Sequence, residues 1–308
     1  FIENKNNLKK LCIITTIPAP IINFWGKQLE FLQSNGFSIT VITAPDDEFA
    51  RWLPSGVEYI PVKMSRVLKP WEDICSLFNI IHVLRKNRYD IVQYATPKAA
   101  LFGAIASWFA RTPVRLYLMW GLYYVTQTGF KRRLFKLFEK IACTLSTDIA
   151  PDSKGNVQVA VKEGLCSAEK IAVVGHGSAN GVDTSRFDPR RHANKRISIR
   201  SELGIPENAK VFGTIAFLVK DKGINELIDA FVQVSQRHDD VYLVLVGREF
   251  ERDPIRPDVS ETIRSHHKIK RIDFTPEPES YLAAMDIFVL PTYREGFGVV
   301  NVEASAME

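Results

Sequence analysis

Asp286-Ile-Phe-Val-Leu-Pro-Thr-Tyr-Arg-Glu-Gly-Phe-Gly-Val-Val-Asn-Val-Glu303 decides how this chain is read. Asp286 to Pro291 is an apolar run of strand length, bounded by proline, and reads as a buried strand. A strand, a glycine-containing loop and a helix start in succession mark the place where α/β proteins hold anions and sugars. Gly296 and Gly298 have no Cβ, so the backbone there can come close to a ligand. With a helix starting near Gly298, its free N–H groups point at that ligand. Glu295 then sits at the loop mouth and Glu303 about one and a half turns into the helix. Two carboxylates, which only accept hydrogen bonds, suit a ligand rich in hydroxyls.

Upstream the same rhythm repeats. Apolar runs at Lys10–Thr16, Ser38–Thr43, Val57–Val62, Asp90–Tyr94, Val114–Met119, Asp148–Ala150 and Lys170–Val174 read as strands. Helical spacing fills Phe24–Asn35, Ile74–Arg88, Lys98–Ala110, Phe130–Ser146 and Ser153–Glu163, with Gly36 and Gly164 as stop signals. From Gly175 to Asn194 there is no periodicity, and that stretch reads as a linker. Strands then resume at Lys210–Ala216, Val241–Val246, Ile269–Phe274 and Ile287–Leu290, with helices at Ile224–Gln236, Asp258–His267 and Ser280–Ala284. Alternating β and α implies parallel sheets with helices on both faces. The expected architecture is α/β, with two doubly wound Rossmann-like domains, residues 1–190 and 191–308, facing a cleft. The second run stops inside its last helix at Glu308 and the chain opens on Phe1, so a fragment lacking C-terminal elements is expected.

The 308 residues, 46% hydrophobic, are enough for two cores, and the net charge of +5 is mildly basic. Such a charge permits an anionic ligand or membrane surface, and no nucleic-acid partner is read from it. No apolar run reaches the length of a membrane span, and no signal peptide is recognised. Cys12, Cys75, Cys143 and Cys166 form no C-x-x-C pair and read as core thiols in a reducing compartment.

Several constellations bear on chemistry. Gly175-His-Gly-Ser-Ala-Asn-Gly181 misses the G-x-G-x-x-G spacing by one, and no G-x-x-x-x-G-K-[ST] occurs. Val219-Lys-Asp-Lys-Gly223 lies between a strand and a helix, where Lys222 adds a point charge to the helix dipole and suits a pyrophosphate. Trp120, Tyr123 and Tyr124 follow another strand. They read either as stacking faces lining an acceptor pocket or as packing beneath a loop. In Phe130–Ser146 the residues Leu134, Leu137, Phe138, Ile141 and Leu145 share a stripe, with Lys131, Arg132, Arg133, Lys136 and Lys140 off it. A basic amphipathic helix of this kind either packs on its own sheet or lies on anionic lipid. No His, Cys and Asp cluster has metal-ligand spacing, and no G-x-S-x-G is found.

Taken in order, Asn180-Gly-Val-Asp183 with Phe187, Val219–Gly223, Asp286–Pro291 and the E-x7-E of Glu295–Glu303 resemble the retaining GT-B glycosyltransferases of family 4 over nearly the whole chain. The resemblance implies a nucleotide-sugar donor with a UDP rather than GDP base, and a hexose or N-acetylhexosamine for transfer. It implies that Glu303 holds the ribose hydroxyls and that Glu295 binds hydroxyls of the sugar. The backbone of Gly296, Phe297, Gly298 and Val299 meets sugar and phosphate, and Lys222 the diphosphate. Lysine and helix dipoles stabilise the leaving phosphate, so no cofactor or metal is expected. Ile13–Pro18 and Gly121-Leu122 resemble bacterial surface-polysaccharide members. Their acceptor is a glycan on polyprenyl diphosphate at the cytoplasmic face of the membrane.

Two positions depart from the pattern. Phe217 stands where the family carries a phosphate-binding Arg, and Trp120 where relatives often have His or Arg. These departures keep open a non-catalytic homologue acting as a partner subunit. A GT-B sugar-nucleotide epimerase also remains open, whereas a nicotinamide oxidoreductase lacks its fingerprint.

Overall fold

The computed structural model describes residues 8–251 and 253–307. The chain divides into two compact units between Asn180 and Gly181.

In the first unit β1 (Lys9–Ile14), β2 (Phe37–Thr43), β3 (Glu58–Pro61), β4 (Ile91–Tyr94), β5 (Val114–Met119) and β6 (Asp148–Pro151) form one sheet. All pairings are parallel, in the order β3-β2-β1-β4-β5-β6. Helices α1 (Ala19–Ser34), α2 (Asp47–Trp52), α3 (Pro70–Asn87), α4 (Pro97–Phe109), α5 (Gly129–Leu145) and α6 (Lys154–Lys162) complete it. Strand side chains alternate between faces, and both faces are covered. Leu11, Ile13, Ile39 and Val41 enter one core with Ile21, Trp25 and Leu29 of α1. Cys12, Ile14, Ile42 and Tyr94 enter the other, under α3, α4 and α5. Continuous apolar runs in the sequence are thus explained by burial on two sides.

In the second unit α7 (Pro189–Glu202) leads into β7 (Lys210–Ile215), α8 (Ile224–Ser235), β8 (Val241–Val246), α9 (Pro257–Ser265), β9 (Ile269–Ile272), α10 (Pro278–Ala284), β10 (Ile287–Phe288) and α11 (Val299–Ser305). The sheet is parallel in the order β10-β7-β8-β9. Leu243 and Leu245 face α8 and α9, while Val244 and Val246 face Leu282 and Met285. Strand order reverses between β7 and β10, with β8 on one side of β7 and β10 on the other. That switch point fixes which loops meet at the carboxyl edge.

Four expectations are corrected here. Residues 170–174 form no strand. Only Ile171 makes a bridge, to Ile149, and Val174 is exposed, because the four-residue edge strand β6 offers no longer partner. The linker read as reaching Asn194 gives way to α7 at Pro189, with the Asp188 side chain accepting from Arg190 N at 3.0 Å as an N-cap. Phe187 is already in the second unit's core, beside Ile205 and Val211, ahead of the expected division after residue 190. Leu137, placed on the apolar stripe of the fifth helix, is exposed instead. The buried positions of α5 are Glu139, Ala142 and Cys143. No helix among the described residues is long and apolar enough to cross a membrane.

Candidate functional site

At the switch point of the second unit, the loop leaving β7 and the loop leaving β10 touch. The first ends in a 3-10 turn, Lys220–Lys222, closed by Gly223 in the left-handed region at φ 69°. A Cβ on Gly223 would lie 2.0 Å from the Pro291 carbonyl oxygen, so only glycine allows this approach. Tyr293 N donates to Asp221 O at 3.0 Å, and Thr292 Oγ1 to the same carbonyl at 3.2 Å. The Asp221 carbonyl thereby ties the two loops together.

The contact brings Lys222 and Glu295, 73 residues apart, into an ion pair between Nζ and Oε1. Both side chains are about a quarter exposed. Beside them the Arg294 guanidinium grips Asp221 Oδ2 through Nε at 3.1 Å and Nη2 at 2.9 Å. Asp253 Oδ2 accepts from Asp221 N at 2.8 Å, and Tyr293 Oη donates to Glu226 at 2.8 Å. Two cations and two carboxylates therefore alternate along the joined loops. This arrangement can offer positive charge to a phosphate and acceptor oxygens to hydroxyls at once.

Gly298 caps α11, Gly296 and Phe297 build the turn that leads into it, and Val299 is its first residue. Glu303 lies on α11 and is partly buried. Burial, the main cause, raises its carboxyl above the ordinary glutamate range, and Glu279 pushes the same way against the pull of Arg186. Arg186 Nη2 lies 2.8 Å from the buried Glu279 Oε2, as an ion pair rather than an aligned hydrogen bond. Phe217 is exposed and its ring centroid lies 6.0 Å from that of Phe250, so an aromatic pair occupies the carboxyl end of β7.

The first unit's three aromatics separate. Trp120 packs on Phe24 and Trp25, with centroids 4.7 and 4.8 Å away. Tyr123 is partly exposed and meets Phe135 edge-on at 5.0 Å. Tyr124 is wholly buried under the Arg132 guanidinium, so its ring packs in the core beneath the loop. Nearby Tyr117 Oη donates to Glu139 Oε2 at 2.7 Å. Burial pushes the Glu139 carboxyl up to about 7 against that hydrogen bond.

Arg294 and Asp221 were not singled out in the sequence. Their positions next to Glu295 and Lys222 were the available signal, but their pairing depends on β7 and β10 being neighbours.

Residues 195–308 match the family model described as Glycosyl transferases group 1, and residues 21–153 the model described as Glycosyl transferase 4-like. The capsular polysaccharide biosynthesis glycosyltransferase CapM of Staphylococcus aureus is 31% identical over 300 residues, 97% of this chain and 77% of that protein. An Escherichia coli UDP-Gal:alpha-D-GlcNAc-diphosphoundecaprenol alpha-1,3-galactosyltransferase is 23% identical over 91% of this chain and 72% of its own. Among solved structures, Anabaena HepE in complex with UDP and glucose superposes with a TM-score of 0.74 at 19% identity, covering 97% of this chain and 78% of that one.

Proposed function

The chain belongs to the group 1 glycosyl transferases, enzymes of the GT-B fold, and from that premise we propose that it moves a hexose or N-acetylhexosamine from a UDP-sugar to a lipid-linked glycan, with retention, during bacterial surface-polysaccharide synthesis. The observation that carries this reading is the Lys222–Glu295 pair at the switch point of the second unit. The UDP-Gal donor and diphosphoundecaprenol acceptor named for the Escherichia coli relative support the choice of substrates.

Transfer breaks the bond between the anomeric carbon and the β-phosphate oxygen, and the electron pair leaves with the nucleoside diphosphate. Lys222 faces that growing charge, and Arg294 fixes a second positive charge on the same loops. Donor binding exchanges the Lys222–Glu295 ion pair for two ligand contacts: ammonium to diphosphate and carboxylate to a sugar hydroxyl. Gly296, Phe297, Gly298 and Val299 supply backbone N–H groups, and Glu303 accepts from the ribose hydroxyls. The acceptor hydroxyl attacks from the face the diphosphate leaves, and its proton passes to the departing phosphate oxygen. The positive charge comes from side chains, so turnover is expected to be unchanged by a chelator.

The test is transfer from a panel of radiolabelled nucleotide sugars to polyprenyl-diphosphate-linked acceptors, with the product's anomeric configuration read by NMR. Retention with a UDP-sugar supports the reading; inversion, or no transfer with any donor, overturns it. Lys222→Ala is expected to lower kcat more than donor affinity. Equal loss in both assigns Lys222 to binding alone.

A further inference from the structure

Helices α3, α4 and α5 pack side by side over one face of the first unit's sheet, with α4 in the middle. Their outward surface sets large apolar side chains among its cations. On α3, Trp71, Ile74 and Phe78 recur at i, i+3 and i+7, opposite the buried Ser76, Ile80 and Leu84. Trp71 is 83% exposed and Phe78 66%. Trp108 and Phe109 are exposed at the end of α4, where Arg85 of α3 donates to the Phe109 carbonyl at 3.3 Å. On α5, Phe130 is 77% exposed and Leu137 follows it two turns on, with Arg133 between them.

Charge is segregated onto the stretch of sequence that carries these helices, although Arg132 and Lys136 are already paired with Glu163 at the end of α6. Residues 62–145 hold fourteen Lys and Arg against four Asp and Glu, a net +10. The whole chain carries +5, so the remainder sums to −5. Two of the four acids are already held at the start of α3, Glu72 by Lys69 at 3.1 Å and Asp73 by Lys98 at 2.6 Å. Glu139 is buried on Tyr117. Arg66, Lys131 and Arg133 make no ion pair among the described residues.

We propose that this outer surface docks the protein on an anionic phospholipid bilayer, with Trp71, Phe78 and Phe130 at headgroup depth and Arg66, Lys131 and Arg133 on lipid phosphates. Aromatic rings interleaved with cations fit the interface between headgroups and acyl chains, where rings find apolar contact and cations find phosphate. An anionic leaflet complements the charge, whereas a second copy of the chain would bring one basic surface against another. The helices would lie on the bilayer, in keeping with none of them being able to span it. Trp71 and Phe130 sit at the starts of α3 and α5, which follow β3 and β5. The docked surface therefore borders the carboxyl edge of the sheet, where Tyr123 lies. The inference draws its purpose from the lipid-linked acceptor proposed above, but binding needs neither donor nor acceptor.

The experiment is co-sedimentation of the full chain with phosphatidylglycerol–phosphatidylcholine vesicles and with phosphatidylcholine alone, at low and high salt. Binding is expected only with phosphatidylglycerol, and it should fall at least tenfold between about 0.1 and 1 M salt as the Debye length shrinks from about 10 to 3 Å. The K131Q/R133Q pair should lower partitioning roughly 25-fold, about fivefold for each cation. W71S/F130S should lower it roughly tenfold while leaving the salt dependence in place. If W71S/F130S misfolds by circular dichroism, K131Q/R133Q decides alone. No binding to phosphatidylglycerol, or equal binding by K131Q/R133Q, overturns the proposal. So does a dimer that W71S/F78S dissociates, or RNA binding, in the absence of vesicle binding. Thermal shift with UDP-sugars separates the two readings. Vesicle binding without any donor shift overturns the transferase substrates and leaves the docking surface standing.

Discussion

Replacing Gly223 with alanine tests whether the two site loops touch as described. An L-residue in the left-handed region at φ 69° costs about 1–2 kcal/mol. The added Cβ would also sit 2.0 Å from Pro291 O and 2.8 Å from Pro291 C, both backbone atoms. Relief requires the loops to part, which removes the Tyr293 N and Thr292 Oγ1 hydrogen bonds to Asp221 O. At about 1 kcal/mol each, their loss brings the total to about 3–4 kcal/mol. Gly204 supplies the control. Its φ is 62°, but a Cβ there meets nothing within 4 Å, so Gly204→Ala should cost only about 1–2 kcal/mol. Urea unfolding followed by circular dichroism gives both values. All five tryptophans lie in the first unit, so their fluorescence reports whether that unit stays unchanged. Equal losses for Gly223→Ala and Gly204→Ala would refute the close approach, and with it the geometry that joins Lys222 to Glu295.

Other consequences follow from buried charge. Glu139 ionises near 4.5 when unfolded but only near 7 when folded, so stability falls as pH rises through that window and is level above it. Glu139→Gln keeps an acceptor for Tyr117 and should raise the melting temperature at pH 8, by at most about 3 kcal/mol of stability, and leave it unchanged at pH 4. A gain of the same size at both pH values would contradict a buried neutral carboxyl. Arg200→Met removes a buried guanidinium that bonds the Ala284, Glu207 and Ala209 carbonyls and Asp286 Oδ2, and should cost about 3–5 kcal/mol in urea unfolding. A loss below about 1 kcal/mol would show that Arg196 and Val211 N satisfy Asp286 without it.

The inner strands of both sheets were legible because they are buried on two sides and read as apolar runs, whereas the edge strands β3 and β10 hold no buried residue. Leu11–Ile14 and Val241–Val246 are the clearest cases. Helix α7 was not legible. Pro189-Arg-Arg-His-Ala-Asn-Lys-Arg shows no apolar face, since only Ile199 and Arg200 are buried. Its hold on the unit is ionic, through Arg196 and Arg200 on Asp286, and an ionic anchor leaves no periodic trace. Burial raises the Asp286 carboxyl, but the bonds from Arg196, Val211 N and Arg200 win and keep it below its ordinary range. Helix α2 escaped notice for another reason: six residues with Phe49 alone buried are too few to set a period.

In the site, each glycine loop could be recognised separately. The sequence could not say that β10 lies beside β7, and that adjacency alone brings Glu295 to Lys222 and Arg294 to Asp221. Tyr124 illustrates the converse. Three aromatics in one short segment looked equivalent in sequence, yet the turn at Tyr123–Thr126 sends Tyr124 into the core and leaves Tyr123 partly outside.

Calorimetric titration of the full chain with UDP-sugars, beside Glu303→Ala and Lys222→Ala, tests the central claim most directly. The account predicts saturable binding of one UDP-sugar, weakened in Glu303→Ala by about 1–3 kcal/mol, the loss of charge-assisted hydrogen bonds to the ribose. For Lys222→Ala the predicted loss of affinity is smaller than its loss of turnover. Unchanged affinity in Glu303→Ala, or no heat with any nucleotide sugar, would contradict it.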